Sequence, residues 1–340
     1  MSMFFEGEER RDETQFAKSP SVSRVLITGG AGFLGQRLAR ALVAAGQLTG
    51  SDGRRRPIER ICLADIAPAV LPPAHGLGME RRQGDLSSPD FVASLAAEGF
   101  DTIFHLASFL TLQAEQDPAQ AYAVNVESLR RLIDGARNRP KVVFTSSIAI
   151  FGGSLPDEVG DDLNPVPTTT YGIHKAINEL LIADYSRHGR IDGRSLRLPI
   201  VLIRSGAPQS AVSDRVAAIA REPMNGHDIV APLPSDMPVP VVSVGKVIEG
   251  LVLLHDVPAD RLPAKRAFNL PALTVTGADM QASVDRMGGR GQITFAPEPA
   301  LSAIVAGWPR RFVSSVAPEL GIGPDADFDA IIADYLANRD

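Results

Sequence analysis

A doubly wound α/β fold, a Rossmann-type parallel sheet with a smaller and mostly C-terminal lobe, is predicted by three features of this 340-residue chain. The β-forming run Val25-Leu26-Ile27 leads into the glycine-dense Thr28-Gly29-Gly30-Ala31-Gly32-Phe33-Leu34-Gly35, and a helical stretch follows from Gln36 to Val43. Short buried strands then alternate with helical patterns as far as Ser147. Beyond them, Tyr171 and Lys175 stand four apart in a helical stretch and so share one face of it.

A strand, a glycine turn and a helix N-terminus together form an anion site, because bare backbone and unpaired N–H groups face the ligand. Gly29 suits the tight turn, Gly32 the close approach of a pyrophosphate, and Gly35 the packing of helix on strand. The spacing is G-x-x-G-x-x-G rather than G-x-G-x-x-G, so the dinucleotide fingerprint is met in its logic and not in its letters. Residues 46–60, with Ser51-Asp52-Gly53-Arg54-Arg55-Arg56-Pro57, read as a surface loop whose arginines are solvated. Strand two, Ile61-Cys62-Leu63-Ala64, ends in Asp65. A carboxylate there accepts hydrogen bonds from the adenosine ribose hydroxyls and repels a 2′-phosphate, which points to NAD rather than NADP.

A third strand covers 79–83. Asp85 beyond it either approaches the adenine or caps the helix announced by Ser87-Ser88-Pro89. A fourth covers 102–107, with His105 inside it as a core histidine. A long helix opens at Asp117-Pro118 and runs to about Asn138. The fifth strand, 142–147, places Ser147 at its C-terminal end. A loop covers 152–170, the Tyr171 helix follows, and a sixth strand covers 195–203. Proline density then rises, so 204–240 reads as an irregular lobe. A helical pattern covers 241–255, one more strand lies near 267–270, and the last seventy residues carry two helical stretches. The resulting division is a mobile polar leader at 1–20 and an NAD-binding domain at 21–203, with 241–271 packing back on it. Residues 204–240 and 272–340 make the substrate-binding lobe.

A net charge of −6 argues against nucleic-acid and membrane partners. The single cysteine, Cys62, excludes a disulfide framework, excludes a cysteine metal site and fits a reducing cytoplasm. The leader lacks the apolar core of a signal peptide, and no apolar run reaches membrane-spanning length. No close cluster of His, Cys or acidic ligands suggests a metal.

A free tyrosine, with a pKa of about 10, is a poor base at neutral pH. A lysine ammonium one helical turn away favours the phenolate, and a serine hydroxyl fixes the reacting oxygen. Ser147, Tyr171 and Lys175 can therefore take a proton from an alcohol while a hydride leaves its carbon for a nicotinamide.

These residues resemble the extended short-chain dehydrogenase/reductase family of NAD-dependent epimerases and dehydratases. Thr28 to Gly35 looks like its cofactor motif, Ser146-Ser147-Ile148-Ala149-Ile150-Phe151-Gly152 like its serine segment, and Tyr171-Gly172-Ile173-His174-Lys175 like its Y-G-x-x-K. His105-Leu106-Ala107-Ser108 and Asn125-Val126 match its H-x-A and N-V elements. Within that family, residues 144–153, Asp192 to Pro199 and Ala306-Gly307-Trp308-Pro309 resemble a D-erythronate dehydrogenase subfamily. The resemblance implies oxidation of the C2 hydroxyl of a small sugar acid, with Ser147, Tyr171 and Lys175 catalytic. It implies NAD contacts from Gly29, Gly32, Phe33, Leu34, Asp65, Asp85, Leu86, Leu106, Ala107, Ser108, Tyr171, Lys175, Pro199 and Val201. It also implies a homodimer that pairs the helices opening near Pro118 and Thr170, and the reducing compartment suggested by Cys62 makes it cytoplasmic. Substrate is expected at Ser108, Ser147, Tyr171 and Arg204, with Arg310 and Arg311 as further candidates for the carboxylate. The alternative is a nucleotide-sugar epimerase or dehydratase that holds NAD tightly, although the 204–240 lobe offers few arginines or aromatics for a nucleoside diphosphate. A non-catalytic NAD-sensing scaffold of the same fold is disfavoured by the intact Ser147, Tyr171 and Lys175.

Overall fold

The computed structural model describes residues 21–74, 76–204 and 211–339, so the 1–20 leader and part of the 204–240 lobe lie outside the described residues. Its main sheet runs, from one edge, Ala267–Asn269, Asp192–Leu198, Lys141–Ser147, Thr102–His105, Ser23–Thr28 and Arg55–Asp65. Gly78–Gln83 and Gln47–Thr49 both pair with that last strand. Every pairing in the sheet is parallel except that of Gln47–Thr49. The chain enters at Ser23–Thr28, winds out to one side, then returns to the other side at Thr102–His105. The strand order therefore reverses between these two neighbours, which is where a doubly wound sheet leaves a crevice beyond its C-terminal strand ends.

Strands buried on both faces read as unbroken apolar runs, and successive side chains serve opposite layers. Val25, Ile27, Ile61, Leu63, Phe104 and Val143 belong to one core, under the helices Phe33–Ala45 and Val244–Asp256. Leu26, Cys62, Ala64, Ile103, Val142 and Phe144 belong to the core on the other face. Cys62 is packing material there, and burial pushes its thiol up to about 12.

The second lobe is more regular than its proline content suggests. Helix Val212–Met224 and strands Ile229–Ala231 and Val239–Ser243 occupy most of the described part of 204–240. Pro232 and Pro238 flank strand ends and Pro234 lies between them, where a missing N–H costs nothing, whereas Pro223 sits inside the helix and Pro240 inside the strand. The expected sixth strand is two strands. Asp192–Leu198 stays in the main sheet, whereas Ile200–Leu202 pairs with Val239–Ser243 in a separate three-stranded sheet. Pro199, at the break, has no N–H to continue the first ladder. Residues 241–243 are thus strand rather than the start of a helix, and the described residues of the last seventy hold four helices instead of two: Gly277–Arg286, Pro299–Ala306, Val316–Glu319 and Phe328–Ala337.

Residues 46–60 are not a loop throughout. Gln47–Thr49 folds back on Arg55–Pro57, so strand two begins six residues before Ile61. Arg56 is buried with Asp52 at 2.5 Å, which removes it from the expected solvated run. This hairpin is tied to the underside of the sheet. Lys141 Nζ donates to the Thr49 carbonyl at 2.9 Å, and the Thr49 N–H donates to Asp256 at 3.0 Å. No helix among the described residues is long and apolar enough to cross a membrane.

Candidate active site

At the strand-order reversal lies a cleft of about 1060 Å³, bounded by both lobes. Its floor is the glycine turn. Gly29 has φ +72°, and a Cβ there would stand 2.8 Å from the Ala107 nitrogen. A Cβ on Gly35 would stand 2.3 Å from the Gly29 carbonyl oxygen, so only glycine lets the helix Phe33–Ala45 begin this close to the strand. Gly30, which sequence reasoning passed over, is pressed equally hard, with its Cβ position 2.7 Å from that of Leu63. Gly32 differs, since its nearest neighbour is the Gly29 oxygen at 3.2 Å and its other side faces the cleft. It caps the helix with no side-chain hydrogen bond, which leaves first-turn N–H groups for a ligand.

Asp65 ends its strand in the cleft wall. Its Oδ2 accepts from the Ala31 N–H at 2.9 Å and its Oδ1 from the Ala67 N–H at 3.0 Å. A carboxylate offers about four acceptor positions, so capacity for a diol remains. Asp85 also lines the cleft, but the helix cap is Ser88; Asp85 instead accepts from the Ser87 N–H at 2.8 Å. Phe33, Leu34, Leu86, Leu106, Ala107, Ser108, Pro199 and Val201 complete the wall. A bare glycine floor, an uncapped helix start and an acidic group beyond the second strand fit a dinucleotide without a 2′-phosphate.

The reactive side chains gather where the wall meets the second lobe. Ser147 ends the Lys141–Ser147 strand, and its Oγ accepts from the Ala149 N–H at 3.1 Å, which keeps its proton for another acceptor. Helix Thr170–Arg187 is capped by Thr169, whose hydroxyl accepts from the Gly172 N–H at 3.1 Å. Gly172 has a packing role: a Cβ there would stand 2.0 Å from the Ala149 oxygen. This close approach brings Tyr171 near enough to Ser147 for the serine hydroxyl to favour the phenolate. Lys175 Nζ donates to the Thr145 carbonyl at 2.8 Å, and it sits 4.6 Å from the Phe144 ring centroid and 5.4 Å from that of Tyr171.

The expected depression of the tyrosine pKa is not seen. Burial pushes the Tyr171 phenol up to about 12, with the Ser147 hydrogen bond working against that rise. Burial also draws Lys175 down to about 7, opposed by the charge of Glu179. Desolvation outweighs attraction for both groups.

His105 is a core residue, buried in its strand, with Nδ1 2.9 Å from Thr28 Oγ1 and its ring stacked on Phe144. Asn125 has a positional role that its sequence alone does not reveal. The expected long helix is short at first, Pro118–Tyr122, then widens into one π turn at Ala123–Glu127 before Ser128–Asp134. That widening frees the Asn125 carbonyl, which accepts from Asn178 Nδ2 of the tyrosine helix at 2.6 Å. Its amide grips the cleft wall: Oδ1 accepts from the Phe109 N–H at 2.7 Å, and Nδ2 donates to the Phe109 carbonyl at 3.1 Å.

Arg204 lines the second-lobe side of the cleft with Ser213, Asp214 and Trp308, of which only Arg204 was singled out as a site residue from sequence. Its Nε lies 2.7 Å from Asp214 Oδ1. Arg310 and Arg311 do not line the cleft. Arg311 pairs with Glu158 at 2.9 Å, and Arg310 lies 3.9 Å from Asp157 on the surface.

The sequence pattern of the NAD dependent epimerase/dehydratase family matches residues 25–270. A D-erythronate dehydrogenase of Cupriavidus necator is 39% identical over 319 residues, covering 92% of this chain and 97% of that protein. The D-erythronate dehydrogenase of Haemophilus influenzae is 35% identical, covering 92% and 98%. Among solved structures, a nucleoside-diphosphate-sugar epimerase from Agrobacterium tumefaciens superposes with a TM-score of 0.87 at 30% identity, covering 96% of this chain and 98% of its own. The holo form of a GalE-like L-threonine dehydrogenase from Cupriavidus necator superposes at 0.79 and 25% identity, covering 93% and 100%.

Proposed function

Because the chain belongs to the NAD dependent epimerase/dehydratase family, we propose that it is an NAD-dependent dehydrogenase of a small sugar acid, acting on the C2 hydroxyl of D-erythronate or a close relative. The observation that carries this reading is the meeting of Ser147, Tyr171 and Lys175 beside a glycine-floored cleft, in a chain similar over nine-tenths of its length to two D-erythronate dehydrogenases. NAD, when bound, accepts the hydride that leaves C2.

The protein's own part is to hold the alcohol and take its proton. Ser147 Oγ donates to the reacting oxygen and fixes it beside Tyr171. Tyr171 Oη removes the hydroxyl proton as the C2–H bond breaks, so the alcohol becomes a ketone and the proton passes to the phenolate. Lys175 supplies the positive charge that makes the phenolate accessible, and the Thr145 carbonyl holds its ammonium in place. Arg204 is the cation for the substrate carboxylate. Replacing it, as Arg204→Ala, should raise KM for an acid tenfold or more and leave an uncharged analogue within about threefold; equal effects on both would remove Arg204 from this role.

The test is to mix the purified protein with excess NAD and a panel of C4 to C6 sugar acids and to follow NADH. Turnover on D-erythronate, reduced at least a thousandfold in Tyr171→Phe with NAD binding retained, is the expected result. The similarity to a nucleoside-diphosphate-sugar epimerase supports one other reading. Silence across the panel, with NAD retained through purification and a uridine diphosphate sugar bound, would favour that reading.

A further inference from the structure

Behind Arg204 stands a second arginine that no cleft-lining role accounts for. Arg221 is 2% exposed on helix Val212–Met224, one of the largest fully buried side chains. Its Nη1 donates to Asp214 Oδ1 at 2.7 Å, the same oxygen that lies 2.7 Å from Arg204 Nε. Its Nη2 reaches Asp214 Oδ2 at 3.4 Å, and its Nε donates to Glu222 at 2.8 Å on the more exposed side. Asp214, itself 4% exposed, is therefore shared by two guanidinium groups, one in the cleft wall and one behind it.

That arrangement decides how much positive charge the cleft feels. A buried carboxylate paired with Arg204 alone would cancel its charge and hold it in a closed pair. A second guanidinium on the same oxygen draws the carboxylate's charge away from Arg204 and fixes the carboxylate in position. We propose that Arg221 is a positioning residue that acts through Asp214, leaving Arg204 oriented and electropositive toward a substrate carboxylate, so that the site selects an acid over the neutral polyol of the same size. This rests on the assignment of the carboxylate to Arg204. Planar guanidinium forks suit the task because they bind carboxylates in fixed geometry.

The experiment measures Kd for D-erythronate and for erythritol by calorimetry with NAD present, together with turnover, in the wild type and three variants. Arg221→Met takes the second guanidinium from Asp214, and Kd for D-erythronate should rise tenfold or more while erythritol and NAD binding stay within threefold. Arg221→Lys should recover part of the loss. The double variant Arg221→Met/Asp214→Asn removes both buried charges together and should bind D-erythronate at least threefold more tightly than Arg221→Met. An unchanged acid Kd in Arg221→Lys and in the double variant's single-site parent, or equal losses for acid and polyol, would overturn the proposal. Failure of the double variant to recover acid binding would overturn it as well. A wild type that binds D-erythronate but does not oxidise it would strike the reaction assigned above and leave the carboxylate site standing. A wild type that binds no acid would overturn both.

Discussion

Lys175 lies almost wholly buried beneath Tyr171, and that position sets the pH at which the pair can work. Burial holds the lysine down at about 7 and the phenol up at about 12. The ammonium is thus about half formed at pH 7 and fades above it, whereas the phenolate grows as pH rises. Activity must climb with pH until the base is formed, and the lysine charge determines how early that happens. In Lys175→Met the acid limb of the kcat/KM profile should shift upward by a pH unit or more, with the maximal rate about a hundredfold lower. A limb that stayed in place would deny Lys175 its electrostatic part. The tyrosine, lysine and serine were legible because their spacing and strand-end location are local facts. Arg221 and Thr145 were not, because a buried second arginine and a backbone acceptor leave no mark in the order of residues.

The glycine turn is where one element's geometry can be separated from its chemistry. Gly35 is needed for packing, with a Cβ position 2.3 Å from backbone oxygen, whereas Gly32 faces the cleft and meets its nearest atom at 3.2 Å. Gly35→Ala should therefore lower both the melting temperature and NAD affinity, whereas Gly32→Ala should hold its melting temperature within a few degrees and weaken NAD at least tenfold. A differential scan beside an NAD titration distinguishes them, and equal melting losses would contradict this division of roles. Most elements of the main sheet could be read from apolar runs and glycine punctuation. The failures have physical causes. The strand 195–203 looked continuous because Leu198 and Ile200 are both apolar and a sheet change at Pro199 leaves the hydrophobic pattern intact. The π turn at Asn125 keeps the helical composition around it, and its evidence lies in the bond to Asn178. The Gln47–Thr49 hairpin was hidden by its polar surroundings, since an edge strand need bury only Leu48.

Among the described residues, three buried histidines link stability to acid: His174, lowered by burial on the tyrosine helix, and, more strongly, His105 and His255. Burial lowers His105 to about 3, with the Lys175 charge adding to the effect. His255, under the sheet with Nε2 2.9 Å from Thr102 Oγ1, is lowered to about 4, again chiefly by burial and against the pull of its bond to Asp256. Both folded values lie below the ordinary 6.5 of the unfolded chain, so the unfolded state binds more protons throughout that interval. Their contribution is complete above pH 6.5 and is lost as pH falls toward 4, at up to about 1.4 kcal/mol per pH unit for each proton. The urea midpoint should fall gently from pH 8 to 7, as the depressed Lys175 takes up its proton, and go on falling from about 6.5 downward as the histidines charge; a midpoint level from pH 6.5 to 4.5 would contradict the histidine part. The reversed strand order also has a consequence for synthesis. The strand made first, Ser23–Thr28, occupies the middle of the finished sheet, and its neighbour Thr102–His105 follows more than seventy residues later. At about 5–20 residues per second, the ribosome leaves that edge unpaired for roughly 4–15 s. Gly29 cannot settle against Ala107 before then, and Trp308, at the far side of the cleft, arrives later still. The nascent chain thus displays its phosphate turn long before it has a chamber in which to use it.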